Sequence, residues 1–170
     1  MKYRRLGLVC GDITSVEVPT DGKTVIIPHI GNNVGVMNAG VAKAIVNKWP
    51  QVLNDYKWQY KKSGGLILGT NIRTWIYDQK DLALVIITMI AQDSVRSETN
   101  KMPLKYISLI KCMCGVLEDY NRWKGSGSES SICCPKFGSG LAGGNWEFIE
   151  TLIEEIWIDN GIDVTVYEYY

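Results

Sequence analysis

Residues 132–146 read Ile132-Cys-Cys-Pro-Lys-Phe-Gly-Ser-Gly-Leu-Ala-Gly-Gly-Asn-Trp146. A short apolar run stops at Pro135, and a loop of mostly small residues follows. Trp146 then opens a segment with apolar positions at Phe148, Ile149, Leu152, Ile153 and Ile156. That spacing is helical, so the stretch reads as strand, glycine loop, helix. Glycines let a backbone approach a ligand closely, and a helix N-terminus presents unpaired N–H groups that suit an anion. The stretch predicts a phosphate-bearing small molecule held near residues 137–144.

Working outward, a stop at Asn160-Gly161 and a final strand over 164–169 follow the helix, which is expected over 146–158. Upstream, the Gly- and Ser-rich residues 124–131 read as a flexible connection. Residues 104–120 carry a helical period through Ile107, Leu109, Ile110, Met113, Cys114 and Leu117. Residues 93–100 are polar and read as a loop. Three strands are expected over 66–68, 74–77 and 82–88, with turns at 69–71 and 78–79. The last is a continuous apolar run, as a strand buried on both faces would be. Helices are expected over 39–49 and 51–60, with Pro50 restarting the second and Ser63-Gly64-Gly65 ending it. Strands over 6–10 and 24–30 precede them, separated by a loop containing Pro19 and Asp21-Gly22. Strands alternating with helices predict an α/β fold, three layers with helices on both faces of the sheet. The closely spaced strands over 66–88 predict that the central sheet is mixed. No repeat or boundary divides the chain, so residues 1–170 are expected to form a single domain.

The 170 residues carry 18 Lys+Arg against 18 Asp+Glu, which offers no basic surface for a polyanion. Tyr and Trp are numerous but scattered, as in core and rim packing. The five cysteines, Cys10, Cys112, Cys114, Cys133 and Cys134, have no zinc spacing, and there is a single histidine. Reduced, mostly buried thiols of a cytosolic protein fit this pattern. No apolar run is long enough for a membrane span or a leader.

Three sites suggest chemistry, and each has a plainer reading. Gly138-Ser-Gly140-Leu-Ala-Gly143 matches a dinucleotide fingerprint, with Asp163 about 20 residues on. Asp163, however, falls at the start of the next strand, where a ribose-binding acid belongs at its end, and only one strand remains for the rest of such a fold. The glycines can also serve turning alone. Asp12, in Gly11-Asp12-Ile13-Thr14 after a strand, suits an exocyclic amine or ribose hydroxyl, or simply caps a turn. His29, near a strand end before Asn32 and Asn33, has the side chain suited to proton transfer near neutral pH, although a lone histidine is commonly structural. All three follow strands, at the edge where open α/β sheets bind ligands.

Taken together, Val9-Cys-Gly-Asp-Ile-Thr14, Ala39-Gly-Val-Ala-Lys-Ala-Ile45, Pro135-Lys-Phe-Gly-Ser-Gly-Leu141 with Trp146, and Val164-Thr-Val-Tyr167 resemble a macro domain. That is the ADP-ribose-binding α/β/α family, and the resemblance spans essentially the whole chain. It is strongest to the branches containing ADP-ribose-1''-phosphate phosphatases and terminal ADP-ribose glycohydrolases.

The resemblance implies that Asp12, with the backbone of Ile13 and with Gly11 beside them, holds the adenine. It implies that Ile30, Gly31, Asn32, Met37, Asn38, Ala39, Gly40, Val41 and Ala42 surround the distal ribose and one phosphate. Phe137, Gly138, Ser139, Gly140, Leu141 and Ala142 would wrap the diphosphate through backbone N–H groups. Many hydrolases of the family have three glycines where this chain has Asn38-Ala39-Gly40, and several have an acid at the position of Ala42. The glycohydrolase branch uses a lysine and an acid at positions that fall here on Met89 and Ala142, which leaves lysine-adduct chemistry without nucleophile or base.

A histidine before the Asn loop is shared with the phosphatase branch. The resemblance thus implies dephosphorylation of ADP-ribose-1''-phosphate, with His29 and Asn32 as the catalytic pair, His29 as general acid/base and Asn32 orienting the distal ribose. Alternatives are a reader of ADP-ribose without chemistry, or removal of ADP-ribose from protein or nucleic acid. No metal or cofactor is implied. The expected partner is ADP-ribose or its 1''-phosphate, with no membrane, and with nucleic acid only as an ADP-ribosylated substrate. The expected setting is the cytoplasm of a cell or of a phage-infected host.

Overall fold

The computed structural model describes residues 6–76, 84–125, 127 and 129–169. Six strands form one sheet: β1 (Leu6–Cys10), β2 (Thr24–Asn32), β3 (Asn71–Ile76), β4 (Leu84–Gln92), β5 (Ser130–Pro135) and β6 (Val164–Glu168). Their spatial order is β1-β6-β5-β2-β4-β3, every pairing parallel except the antiparallel β3–β4. The sheet is therefore mixed, and five strands present their C-terminal ends along one edge.

Strand β4 shows why the sheet is covered on both sides. Leu84, Ile86 and Ile90 pack into one apolar cluster, Val85, Ile87, Met89 and Ala91 into the other, and all are fully buried. Side chains alternate faces along a strand, so a strand buried on both sides must be apolar throughout. One face is covered by α1 (Gly40–Lys48) and α2 (Pro50–Ser63), through Ile45, Val46, Val52 and Tyr56. The other is covered by α3 (Tyr106–Gly125) and α4 (Trp146–Ile153), through Leu109, Met113, Val116 and Ile149. A π turn over Glu154–Ile158 continues α4 and buries Trp157, whose indole N–H donates to the Met113 carbonyl at 3.0 Å. The expected helix over 146–158 is thus present with its last turn widened.

Several expected boundaries move. Residues 66–68 are not a strand. After the left-handed Gly64 ends α2, the chain turns over the tip of β4, where Gly69 N–H donates to Ile90 O and Ile90 N–H to Thr70 O. Those bonds lead into the β3–β4 pairing that starts at Asn71, and residues 66–68 before them pair with no strand, leaving Ile67 exposed. Strand β2 runs two residues beyond 30, because Gly31 and Asn32 still pair with β4 across a bulge. Helix α3 runs on to Gly125, into the stretch expected to be a connection. The turn expected at 78–79 lies outside the described residues.

Candidate functional site

The C-terminal ends of β2, β4 and β5 enclose a cleft of about 650 Å³. One wall is the end of β2 and the start of α1, from His29 to Asn32 and from Val36 to Ala42. The opposite wall is the loop after β5, with Pro135, Lys136, Phe137, Gly138, Gly140, Leu141 and Ala142. Gln92, Val95 and Arg96 close the β4 end. The two long walls meet where Leu141 reaches Gly40, within 3.5 Å of where a Cβ there would stand.

The walls present backbone donors. Helix α1 begins after Ala39 with no side-chain cap, so its first N–H groups are open to the cleft. In the facing loop, the backbone N–H groups of residues 138–142 have no hydrogen-bond partner among the described residues. The loop's carbonyls are engaged: Gly138 O accepts from Gly144 N, Gly140 O from Gly143 N, and Ala142 O from Leu104 N. This arrangement fixes the loop while leaving its donors free. Backbone amides without an internal acceptor, beside a cleft, are donors that an anion can use.

The loop glycines divide by role. Gly143 sits at φ +76°, and a Cβ at Gly144 would lie 2.4 Å from Leu104 Cδ2 and 2.6 Å from Gly138 O. That pair is demanded by packing. A Cβ at Gly140 would meet nothing within 4 Å, so its missing side chain leaves open space in the cleft.

Both members of the expected catalytic pair are buried in the β2 wall of the cleft. His29 is 1% exposed, its Nε2 lies 2.9 Å from Thr88 Oγ1, and its Nδ1 has no hydrogen bond of good geometry. Burial, opposed weakly by the Ile30 backbone, pushes its pKa down to about 4. The ring is therefore neutral at pH 7, the form in which an imidazole accepts a proton.

Asn32 is also buried, and its carboxamide serves its own loop. Its Oδ1 accepts from Val34 N, Val36 N and the Tyr56 hydroxyl, and its Nδ2 donates to Val36 O at 2.6 Å. Three donors thus converge on Oδ1, while Asn32 itself lines the cleft.

Gly11, Asp12, Ile13 and Ser139 do not line the cleft. Asp12 lies beyond it, after β1, where its Oδ1 accepts from Thr14 N at 2.9 Å and caps a single 3-10 turn, Ile13–Ser15. The hydroxyl of Ser139 turns back to Lys136 O. Met89 is buried under α3 and α4, not in the cleft. The residue of β4 that reaches the cleft is Gln92, the first long polar side chain after the apolar run. Sequence reading also missed Val36, Val95, Arg96, Pro135 and Lys136 as lining residues. The polar loop after a doubly buried strand was the available signal for Gln92 and Arg96.

No acidic residue is among those lining the cleft. Of its two cations, Lys136 is engaged, with Nζ 2.7 Å from Glu168 Oε1 and 5.4 Å from the centre of the Trp146 ring. All five cysteines are free thiols. Burial raises the pKa of Cys112 to about 12 and also raises those of Cys133 and Cys134, while Cys10 and Cys114 are exposed. The thiols are therefore less uniformly buried than expected. No described helix is long and apolar enough to cross a membrane.

No family model matches the chain. A curated relative from Candida albicans, named ADP-ribose 1''-phosphate phosphatase, is 26% identical over 149 residues, covering 85% of this chain and 89% of the relative. Among solved structures, a protein of unknown function from Bacteroides thetaiotaomicron is 27% identical with a TM-score of 0.83, over 98% of this chain and 99% of that one. A macrodomain protein from Streptomyces coelicolor is 24% identical with a TM-score of 0.76, over 96% and 98% of the two chains. The mixed sheet and the near-complete coverage in both directions agree with the motifs read along the sequence. The chain has the fold of the macrodomain structures it resembles.

Proposed function

We propose that the cleft binds ADP-ribose and that the chain hydrolyses ADP-ribose-1''-phosphate to ADP-ribose and orthophosphate. The observation that carries the binding is the facing pair of donor sets: the open amides of residues 138–142 and the uncapped N-terminus of α1. A diphosphate between them would be held by backbone dipoles without any side-chain cation. The hydrolytic reading is supported by the name of the Candida albicans relative.

In that reaction water attacks phosphorus, the bond from phosphorus to the 1'' oxygen breaks, and the leaving oxygen takes a proton from solvent. His29 and Asn32 are positioning residues here. The first ties β2 to β4 in the wall of the cleft, and the second holds the loop that continues that wall. With the His29 pKa lowered by burial and no lining carboxylate, turnover is slow, because only weak general-base assistance is at hand.

A second reading is capture of ADP-ribose without chemistry, favoured by the same burial of His29. Calorimetric titration with ADP-ribose, followed by phosphate release from ADP-ribose-1''-phosphate, separates the two. Binding with release supports the phosphatase, and binding without release leaves the reader. Failure to bind ADP-ribose at all would overturn both.

A further inference from the structure

We propose that Arg96 is the specificity-determining residue of the cleft, selecting ligands that carry a phosphate monoester at the 1'' end over ADP-ribose itself. The inference rests on the ADP-ribose reading above and assigns a substrate feature to a residue that reading does not use.

The first ground is topology. Along the sheet edge, Asp12 follows β1 at one margin, the 136–142 loop follows β5, Asn32 ends β2, and Arg96 follows β4. On the ADP-ribose reading, a diphosphate against the 138–142 amides leaves the β4 end of the cleft, closed by Gln92, Val95 and Arg96, for one arm of the ligand, here assigned to the far ribose. Its 1'' substituent then comes to the Arg96 end of the cleft.

The second ground is charge. The diphosphate meets backbone donors, but a terminal phosphate monoester adds a group approaching two negative charges at pH 7, and such a group selects for a cation. Lys136 is already matched by Glu168. Arg96 lines the cleft, no lining residue is acidic, and Arg96 has no ion-pair partner among the described residues.

The third ground is the way Arg96 is presented. Its loop is fastened on both sides. Asn33 Oδ1 accepts from Ser94 N at 2.8 Å, Asn33 Nδ2 donates to Asp93 Oδ1 at 3.1 Å, and Asn33 N donates to Gln92 O at 3.1 Å. Asn100 Nδ2 donates to Asp93 O and Val95 O. These bonds hold Ser94 at φ +63°, a conformation a side-chain-bearing residue rarely adopts without support. The result is an exposed guanidinium on a braced loop, beside the apolar rim of Val36, Val41, Val95 and Leu141. An exposed arginine on a braced loop loses less on binding a phosphate than one on a slack loop.

The test uses the intact chain, as wild type, R96A and R96K, titrated with ADP-ribose and with its non-hydrolysable 1''-phosphonate analogue. The quantity read is the ratio of the two affinities. The wild type is expected to prefer the phosphonate, R96A to lose about tenfold of that preference, and R96K to keep most of it. Equal loss for both ligands in R96A would overturn the proposal by placing Arg96 on the diphosphate, and an unchanged ratio would overturn it outright. A wild type that binds neither ligand would instead remove the ADP-ribose reading on which the inference rests. Retained ADP-ribose binding in R96A shows that the variant is folded.

Discussion

His29 Nε2 lies 2.9 Å from Thr88 Oγ1, bridging β2 to β4 where neither side chain sees water. The relationship has a consequence for acid stability. In the unfolded chain His29 takes a proton near its ordinary value of 6.5, but in the folded chain only near pH 4. Between those values the unfolded state holds more protons, so stability falls as pH drops from 6.5 towards 4, by about 3 kcal/mol in all. His29→Gln, which keeps a polar partner for Thr88, should flatten that limb. Denaturant midpoints at pH 7.5 and pH 4.5 check this. An equally steep loss in the variant would show that other groups govern the acid limb.

Tyr56 is the buttress of the β2 loop. Its buried hydroxyl lies 2.7 Å from both Asn32 O and Asn32 Oδ1, and desolvation pushes its pKa up to about 12, so it remains a donor at any working pH. Tyr56→Phe removes one donor from two acceptors in a buried setting. The expected cost is about 1–2 kcal/mol of stability. ADP-ribose affinity should fall with it, since the loop forms one wall. Stability lost with affinity fully retained would mean that the wall does not depend on this bond.

Gly140 and Gly144 should part company. Gly144→Ala drives a methyl into Leu104 and the Gly138 carbonyl, and is expected to destabilise the fold by about 2 kcal/mol. Gly140→Val fills open space, so thermal stability should stay within about 0.5 kcal/mol of wild type while ADP-ribose affinity drops at least about tenfold. Thermal melts paired with calorimetry distinguish the two. A Gly140→Val protein that binds as wild type would move the ligand away from this loop.

Asp119 is fully buried on α3 and bonded to Arg73 of β3 and to Arg122 of its own helix, the latter at 3.3 Å. It fastens a helix to the antiparallel margin of the sheet, one strand outside those that enclose the cleft. Asp119→Ala should cost about 3 kcal/mol. Its effect on ADP-ribose affinity measured well below the melting temperature should be small. A large loss of affinity under those conditions would show that this margin is coupled to the site.

The fold was legible because periodicity is strong where burial is complete. The run from Leu84 to Ala91 announces a doubly covered strand, and the apolar stripe of α3 announces its packing face. The two walls of the cleft were legible because strand, glycine loop and helix leave a local signature at 132–146 and again around Asn38-Ala39-Gly40. Side-chain roles were less so. His29 and Asn32 look chemical in isolation, but their hydrogen bonds go to Thr88 and Tyr56, which lie 59 and 24 residues away in sequence. Asp12 carries a cap that depends on a bond two residues long, and here the plainer reading was sufficient for what is seen. Arg96 escaped notice because an arginine in a polar loop reads as a solvated charge until the sheet order places it beside the cleft.

The open amides of residues 138–142 have a further consequence for the empty protein. With no acceptor among the described residues, they are expected to exchange hydrogen faster than the hydrogen-bonded backbone around them, while the carbonyls of Gly138, Gly140 and Ala142 stay anchored. An occupant that accepts those bonds should slow five neighbouring amides together and leave the surrounding backbone almost unaltered. The loop is thus a built-in isotopic reporter, whose protection would register any ligand of this edge, named or not, without a label on the ligand.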